Sequence, residues 1–209
     1  MDDRYRSADY QVQYSGATGV MLRASHVLME RGITPEQNRN VFEVGGGAMP
    51  HFAWMDVSKT EDLTISDDLG AHQKPLSELK LKVPPSVRLH LHDFTQDPNF
   101  SKLNGNFSRI LASHVLEHIP DPEGAIRLWA SLLSSEGLMS IAIPCDPGWL
   151  CRFGQIYSHK TNHPKLTFAE YDLLLSREHV NSTQRLLKIL RYYFSEIKDL
   201  LVSSICPGR

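Results

Sequence analysis

The chain has 209 residues, 41% hydrophobic and 22% charged, with 22 basic against 24 acidic side chains and a formal net charge of −2. That length suits one domain with a continuous core, residues 1–209 together, and the balanced charge excludes nucleic acid or an anionic membrane as an electrostatic partner. The opening MDDRYRSADY is too polar for a secretory leader, no apolar run reaches the roughly 18 residues needed to cross a bilayer, and Cys145, Cys151 and Cys206 lack paired spacing, so a cytoplasmic protein with reduced thiols is expected.

From Thr18 to Arg31, apolar residues at Val20, Met21, Ala24, Val27 and Leu28 predict a helix with a buried stripe, stopped at Gly32. The run NVFEVGGG, starting at Asn40, reads as a strand entering a glycine turn. A brief helix over 51–57 and a strand over Leu63–Ser66 follow. Residues 70–86 read as connector with at most one helix. VRLHLHD, residues 87–93, alternates apolar and polar, as an edge strand does, and this places His90 and His92 on its surface face. RILAS (109–113) and LMSIAIP (138–144) are almost unbroken apolar runs and read as central strands. Between them Asp121 caps a helix, Pro122 opens it, Ala125, Leu128, Trp129, Leu132 and Leu133 form its stripe, and Gly137 closes it. A last helix is expected over 182–194.

Strands alternating with helices predict an α/β three-layer sandwich around a mostly parallel sheet. Ligands in such folds bind beyond the carboxyl ends of the strands. Those ends are polar here. The first carries Glu43 and then Gly45, Gly46 and Gly47, although a nicotinamide-type G-x-G-x-x-G fails at Pro50. Asp67 ends the second strand, where a carboxylate can accept from both ribose hydroxyls, or where Asp67-Asp68 can simply form a solvated turn. Asp93-Phe94 ends the third, suited to an exocyclic amine and the face of a base, or to an Asx turn followed by a core phenylalanine. Ser113 and His114 end the fourth.

VFEVGGGAMPHF, LTISDDLG, LHDF and the long block NFSRILASHVLEHIPDPEGAIRLWASLLSSEGLMSIAIPCDPG resemble the successive motifs of class I S-adenosylmethionine-dependent methyltransferases, over residues 41–148, with HVLEHIPDP the most specific part. The resemblance implies a Rossmann-like fold with strand order 3-2-1-4-5-7-6, whose last strands are short of sequence here. It also implies S-adenosyl-L-methionine as cofactor, with Glu43 and Gly45–Gly47 at the methionine moiety, Asp67 at the ribose and Asp93 at the adenine; the polar strand ends add Phe94 over the base and Ser113 and His114 beside the methionine end. Three positions depart from the family pattern: Met49 replaces a glycine, Ser108 stands where an aspartate often precedes the fourth strand, and Glu136-Gly137 replaces a Pro-Gly-Gly turn.

His114-x-x-Glu117-His118 also matches the H-x-x-E-H pattern of inverted zinc peptidases, which needs both histidines on one helix face. A strand immediately before His114 and Pro120 just after His118 argue for a turn, with Val115 and Leu116 packed inward and Glu117 and His118 at the mouth of the cleft. No metal ligands are assigned.

Methyl transfer from a sulfonium asks the protein for alignment, desolvation and removal of the acceptor's proton. His118 is the first candidate general base and Asp146, in PCDPG, the second. Residues 1–39 are expected to form a helical lid and 149–181 a substrate cap, the latter mixing Trp149, Phe153, Tyr157, Phe168 and Tyr171 with Arg152, Lys160 and Arg177. The expected acceptor is a small molecule or glycan, methylated on oxygen; PCDPG…YD…REHVN resembles methyltransferases of bacterial surface-glycan pathways. Two alternatives are a non-catalytic binding module of the same fold and a zinc hydrolase using His114 and His118.

Overall fold

The computed structural model describes residues 16–46, 50–70, 80, 82–144, 155–157, 159–160 and 166–198. Five parallel strands form one sheet in the order β3-β2-β1-β4-β5: β1 Asn40–Val44, β2 Asp62–Asp67, β3 Arg88–Asp93, β4 Phe107–Ser113 and β5 Leu133–Ala142. The helices are α1 Gly16–Met29, α2 Pro122–Leu132, α3 Phe168–Glu178 and α4 Thr183–Tyr193. Single 3₁₀ turns occupy Pro35–Asn38, His51–Trp54 and Leu116–His118. This is the Rossmann-like architecture expected from the sequence, through its first five strands. The one further strand expected after Phe194 falls on residues 195–209, of which 195–198 are described without strand and 199–209 lie outside the described residues.

Strand side chains alternate between two cores. Phe42, Val44, Ile110 and Ala112 face α2 and α4, packing with Ile126, Trp129, Leu132, Leu186 and Leu190. Val41, Leu63, Ile65 and Leu111 face the other way, onto Met29 of α1 and onto Phe52 and Met55 beside the His51–Trp54 turn. Burying each such side chain contributes roughly 1.5–3 kcal/mol. The sheet is thereby covered on both faces, and its polar strand ends are left to one rim.

Several local expectations are corrected. The buried residues of α1 include His26 and Met29, whereas Val20 and Val27 are exposed. The helix is rotated to serve a polar partner, Arg109 of β4. This guanidinium is fully buried: Nη1 donates to Glu30 Oε1 at 2.6 Å and to Asn38 Oδ1 at 2.8 Å, Nη2 donates to the Met29 carbonyl at 2.8 Å, and Nε donates to Ser140 Oγ at 2.9 Å. His92 is not a surface residue. It is buried against Phe100, with Nε2 3.2 Å from Asp97 Oδ2 and Nδ1 3.0 Å from Ser66 Oγ, while His90 is exposed beside Asp62.

Gly137 does not close α2, which passes at Leu133 directly into β5. The pairing jumps from Phe107↔Leu133 to Arg109↔Leu138, so residues 134–137 form a bulge, and a Cβ on Gly137 would lie 2.8 Å from the Phe107 carbonyl oxygen. β5 is half-buried and at an edge of the described sheet, not central. Ser108 lies within β4, where its hydroxyl accepts from Asn40 N at 2.9 Å and lies 2.9 Å from the Gln37 carbonyl, tying the start of β1 to β4. The capping of α2 by Asp121, through Gly124 N at 2.9 Å, is as expected.

Candidate functional site

The glycine turn after β1 folds back onto β2: Gly45 N and Gly46 N both donate to the Ser66 carbonyl, at 2.8 and 3.4 Å. Gly45 has φ +69°, and a Cβ there would sit 2.6 Å from Val115 Cγ2. Glycine is required on both counts. Gly45→Ala is therefore expected to lower stability by about 1–3 kcal/mol, read as a reduced denaturation midpoint. A midpoint equal to wild type would show that the turn relaxes freely.

Asp67 and Asp93 are direct partners in the β2–β3 register. The two carboxylate-bearing residues expected at ribose and adenine thus stand side by side at neighbouring strand tips, next to the Gly45–Gly46 turn. Asp67 is buried and its Oδ1 accepts from Asp68 N at 2.7 Å. Asp93 Oδ1 accepts from Thr95 N at 3.0 Å and Thr95 Oγ1 at 2.6 Å, the Asx-type turn anticipated as an alternative. Phe94, however, is no core residue: it is 42% exposed, a free apolar face beside that turn.

Glu43 lies on the α1 side of the sheet, between the partners Ile65 and Leu111. Its Oε1 accepts from His51 N at 2.7 Å, while Oε2 is buried without a hydrogen-bond partner. Burial pushes this carboxyl up to about 8; the Asp67 charge adds to the rise, and the hydrogen bond from His51 N and the Arg109 charge oppose it. Behind it runs a histidine relay. His51 Nε2 lies 2.7 Å from Glu30 Oε1, and His51 Nδ1 lies 2.7 Å from His26 Nδ1. A carboxylate only accepts, so with both rings neutral the proton of His51 is on Nε2 and that of His26 on Nδ1, which leaves His26 Nε2 as a buried acceptor without a partner. Burial, then repulsion from His51 and His114, lowers the His26 pKa to about 3, so the ring is neutral near pH 7.

At the tip of β4, Ser113 Oγ is buried with no partner, and His114 takes φ +56°. That left-handed turn sends His114 Nε2 to within 3.2 Å of Ser25 Oγ on α1 and Nδ1 to 3.6 Å from Glu117 Oε1. Residues 114–118 are a bend and one 3₁₀ turn, not an α-helix. The H-x-x-E-H spacing consequently does not give the single helical face a zinc peptidase uses. Glu117 is not at the mouth as expected but 2% exposed, buried together with Leu116 in the same 3₁₀ turn. His118 is the exposed member; its Nδ1 donates to the Glu178 carbonyl at 3.0 Å, and its ring meets His179 edge to face. Gly47 and Asp146 lie outside the described residues, as do Met49, Trp149 and Phe153.

Sequence reasoning missed Arg109, Glu30, His26 and His51. The one available signal was Arg109 itself, a charge inside an otherwise apolar strand.

A family model described as a methyltransferase domain matches residues 20–193. The chain belongs to that family. A search of curated proteins gives no significant match. Among solved structures, an O-methyltransferase family protein from Burkholderia thailandensis is 14% identical with TM-score 0.56, over 91% of this chain and 54% of that one. The plantazolicin methyltransferase BpumL, solved with a triazolic desmethyl analog and SAH, is 14% identical with TM-score 0.56, over 91% and 69%. The [4+2]-cyclase SpnF is 13% identical with TM-score 0.55, over 85% and 58%. These show a shared fold. The chain spans 59% of the DhpI chain and 35% of the coclaurine N-methyltransferase chain that it also matches. Among the described residues, no helix is long and apolar enough to cross a membrane.

Proposed function

We propose that this methyltransferase-family chain transfers a methyl group from S-adenosylmethionine to an oxygen of a small molecule or sugar. The observation that carries the reading is the Asp67–Asp93 pair in register beside the Gly45–Gly46 turn. A nucleoside laid across those strand tips meets two carboxylates and a backbone without Cβ atoms, and Phe94 offers a face for its base. The buried, unpartnered oxygens of Glu43 and Ser113 fit the polar end of the same ligand, since a buried polar group without a partner is unfavourable until something fills the site.

Bound there, S-adenosylmethionine supplies an electrophilic methyl group on a cationic sulfur. The chain's own part is positional. Asp67 fixes the ribose, Glu43 favours the cationic amino-acid end, and the turn at Ser113–His114 sets the floor beside the methyl. His118, open to solvent with Nε2 turned toward Glu117 at 3.9 Å, faces the acceptor. We assign residues 1–39 to a lid and 149–181 to a cap over the acceptor, on their described parts alone. Support for the lid is the Ser25–His114 contact. Support for the cap's own aromatic core is His159 packed against Phe168 and Tyr171, with Tyr157 exposed.

Calorimetric titration with S-adenosylmethionine or S-adenosylhomocysteine tests the reading, and no binding at millimolar ligand would reject it. Asp67→Ala is expected to weaken that binding by about 1–3 kcal/mol through lost ribose hydrogen bonds. Unchanged affinity would displace the nucleoside from this rim.

A further inference from the structure

Glu117, His118 and His179 each offer one ligand atom, and these atoms all lie within 4.8 Å of one another. Two loops that are distant in sequence make this trio, and they are bolted together around it. Asn181 Nδ2 donates to the Leu116 carbonyl at 2.9 Å and to the Ile119 carbonyl at 2.6 Å, and Asn181 N donates to the Glu117 carbonyl at 3.2 Å. Asn181 Oδ1 is held in turn by Arg185 Nη1 at 2.7 Å. The side chain of Asn181 is itself buried.

Two further features point to a ligand. Glu117 is 2% exposed and its Oε2 has no hydrogen-bond partner, so a carboxylate oxygen is held away from water with nothing to satisfy it. His118 donates from Nδ1 to the Glu178 carbonyl at 3.0 Å. That bond fixes the tautomer and leaves Nε2 as a lone pair, 3.9 Å from Glu117 Oε1. A backbone carbonyl behind one ring nitrogen is how metal-binding histidines are oriented.

We propose that Glu117, His118 and His179 bind one divalent transition-metal ion of the zinc type. Two imidazoles and a carboxylate suit a borderline cation better than magnesium, which takes oxygen ligands and keeps its waters. Metal–ligand bonds of about 2.0–2.2 Å draw tetrahedral ligand atoms to roughly 3.3 Å apart, a contraction that side-chain rotation supplies. Three protein ligands leave a coordination position open toward the exposed side of His118. Resting on the methyl-transfer reading, that position takes the acceptor hydroxyl. With Nε2 committed to the ion, His118 positions the acceptor and does not take its proton: the O–H bond breaks with the proton passing to water, and the resulting oxygen attacks the methyl as the carbon–sulfur bond breaks.

The test uses the full chain purified without a histidine tag and stripped with chelator, then titrated with Zn²⁺ by calorimetry and with Co²⁺ by visible absorption. One ion per chain and a low-symmetry cobalt spectrum are expected, with Mg²⁺ producing neither. Glu117→Gln and His179→Ala should each weaken Zn²⁺ binding by more than about tenfold, whereas His90→Ala, on the far edge strand, should leave it unchanged. Glu117→Gln is nearly isosteric, and its melting temperature with and without Zn²⁺ covers any variant that fails to fold: Zn²⁺ should raise the melting point of wild type and not of this variant. No stoichiometric ion, or equal affinity in wild type and Glu117→Gln, overturns the site. S-adenosylhomocysteine titrated into the same samples separates the two proposals. Its binding without Zn²⁺ binding removes the metal site alone, and Zn²⁺ binding without it removes the methyl-transfer role alone.

Discussion

Arg109→Met is expected to destabilise the chain by about 3–5 kcal/mol, among the largest effects of any single substitution in this fold. The guanidinium has no solvent exposure and spends its donors on Glu30, Asn38, the Met29 carbonyl and Ser140. Removing it strands the Glu30 carboxylate at the α1–β4 junction, still hydrogen-bonded to His51 but without its countercharge. Burial pushes the Glu30 carboxyl up, and the His51 and Arg109 contacts overcome this to leave it below its ordinary value. With arginine gone, its share of that compensation goes and only the His51 contact remains. The double variant Glu30→Gln, Arg109→Met should recover part of the loss, because no unpaired charge remains. Urea denaturation at pH 7 measures both. Equal midpoints for wild type and Arg109→Met would mean that the ion pair only matches its own desolvation and does not hold α1 in place.

The same ion pair explains where the sequence was readable and where it was not. Strands β1 and β4 and the core of α2 follow from apolar runs whose burial is decided by hydrophobicity alone, and Asp121, Pro122 and Ser182 punctuate helices by local chemistry. The rotation of α1 is decided otherwise. Its most apolar face includes Val20 and Val27, yet His26 and Met29 are buried, because Glu30 must reach an arginine seventy-nine positions away. No local periodicity carries that information. His92 likewise reads as surface by alternation, but the loop after β3 returns to cover it with Asp97 and Phe100. The strand-tip residues Gly45, Asp67 and Asp93 were legible because parallel strands of like direction place their ends on one rim whatever the intervening chain does. The Glu117–His118–His179 trio joins two loops far apart in the chain, and the H-x-x-E-H spacing drew attention to His114 in place of His179.

Glu43→Gln is expected to make the ligand-free protein more stable at alkaline pH while weakening its grip on the cofactor. In wild type the folded Glu43 carboxyl titrates at about 8, against an ordinary value of 4.5, with burial the leading cause. Between those two values the unfolded chain has lost this proton and the folded chain keeps it. The folded state therefore binds more protons, and stability falls as pH rises from about 4.5 to about 8, levelling off above. The full span is worth about 5 kcal/mol, and an amide of the same shape abolishes it while retaining the acceptor oxygen for His51 N. A cationic ligand beside Oε2 reverses the balance, since it favours the carboxylate. Binding of S-adenosylmethionine near pH 7 should then expel a proton, seen as a binding enthalpy that varies with the ionisation enthalpy of the buffer. Glu43→Gln should lose both that buffer dependence and roughly tenfold or more in affinity, as a charge-assisted contact becomes a neutral one. Buffer-independent enthalpy in wild type, together with parallel stability curves for the two proteins from pH 5 to 9, would place the ligand's positive charge elsewhere on the rim.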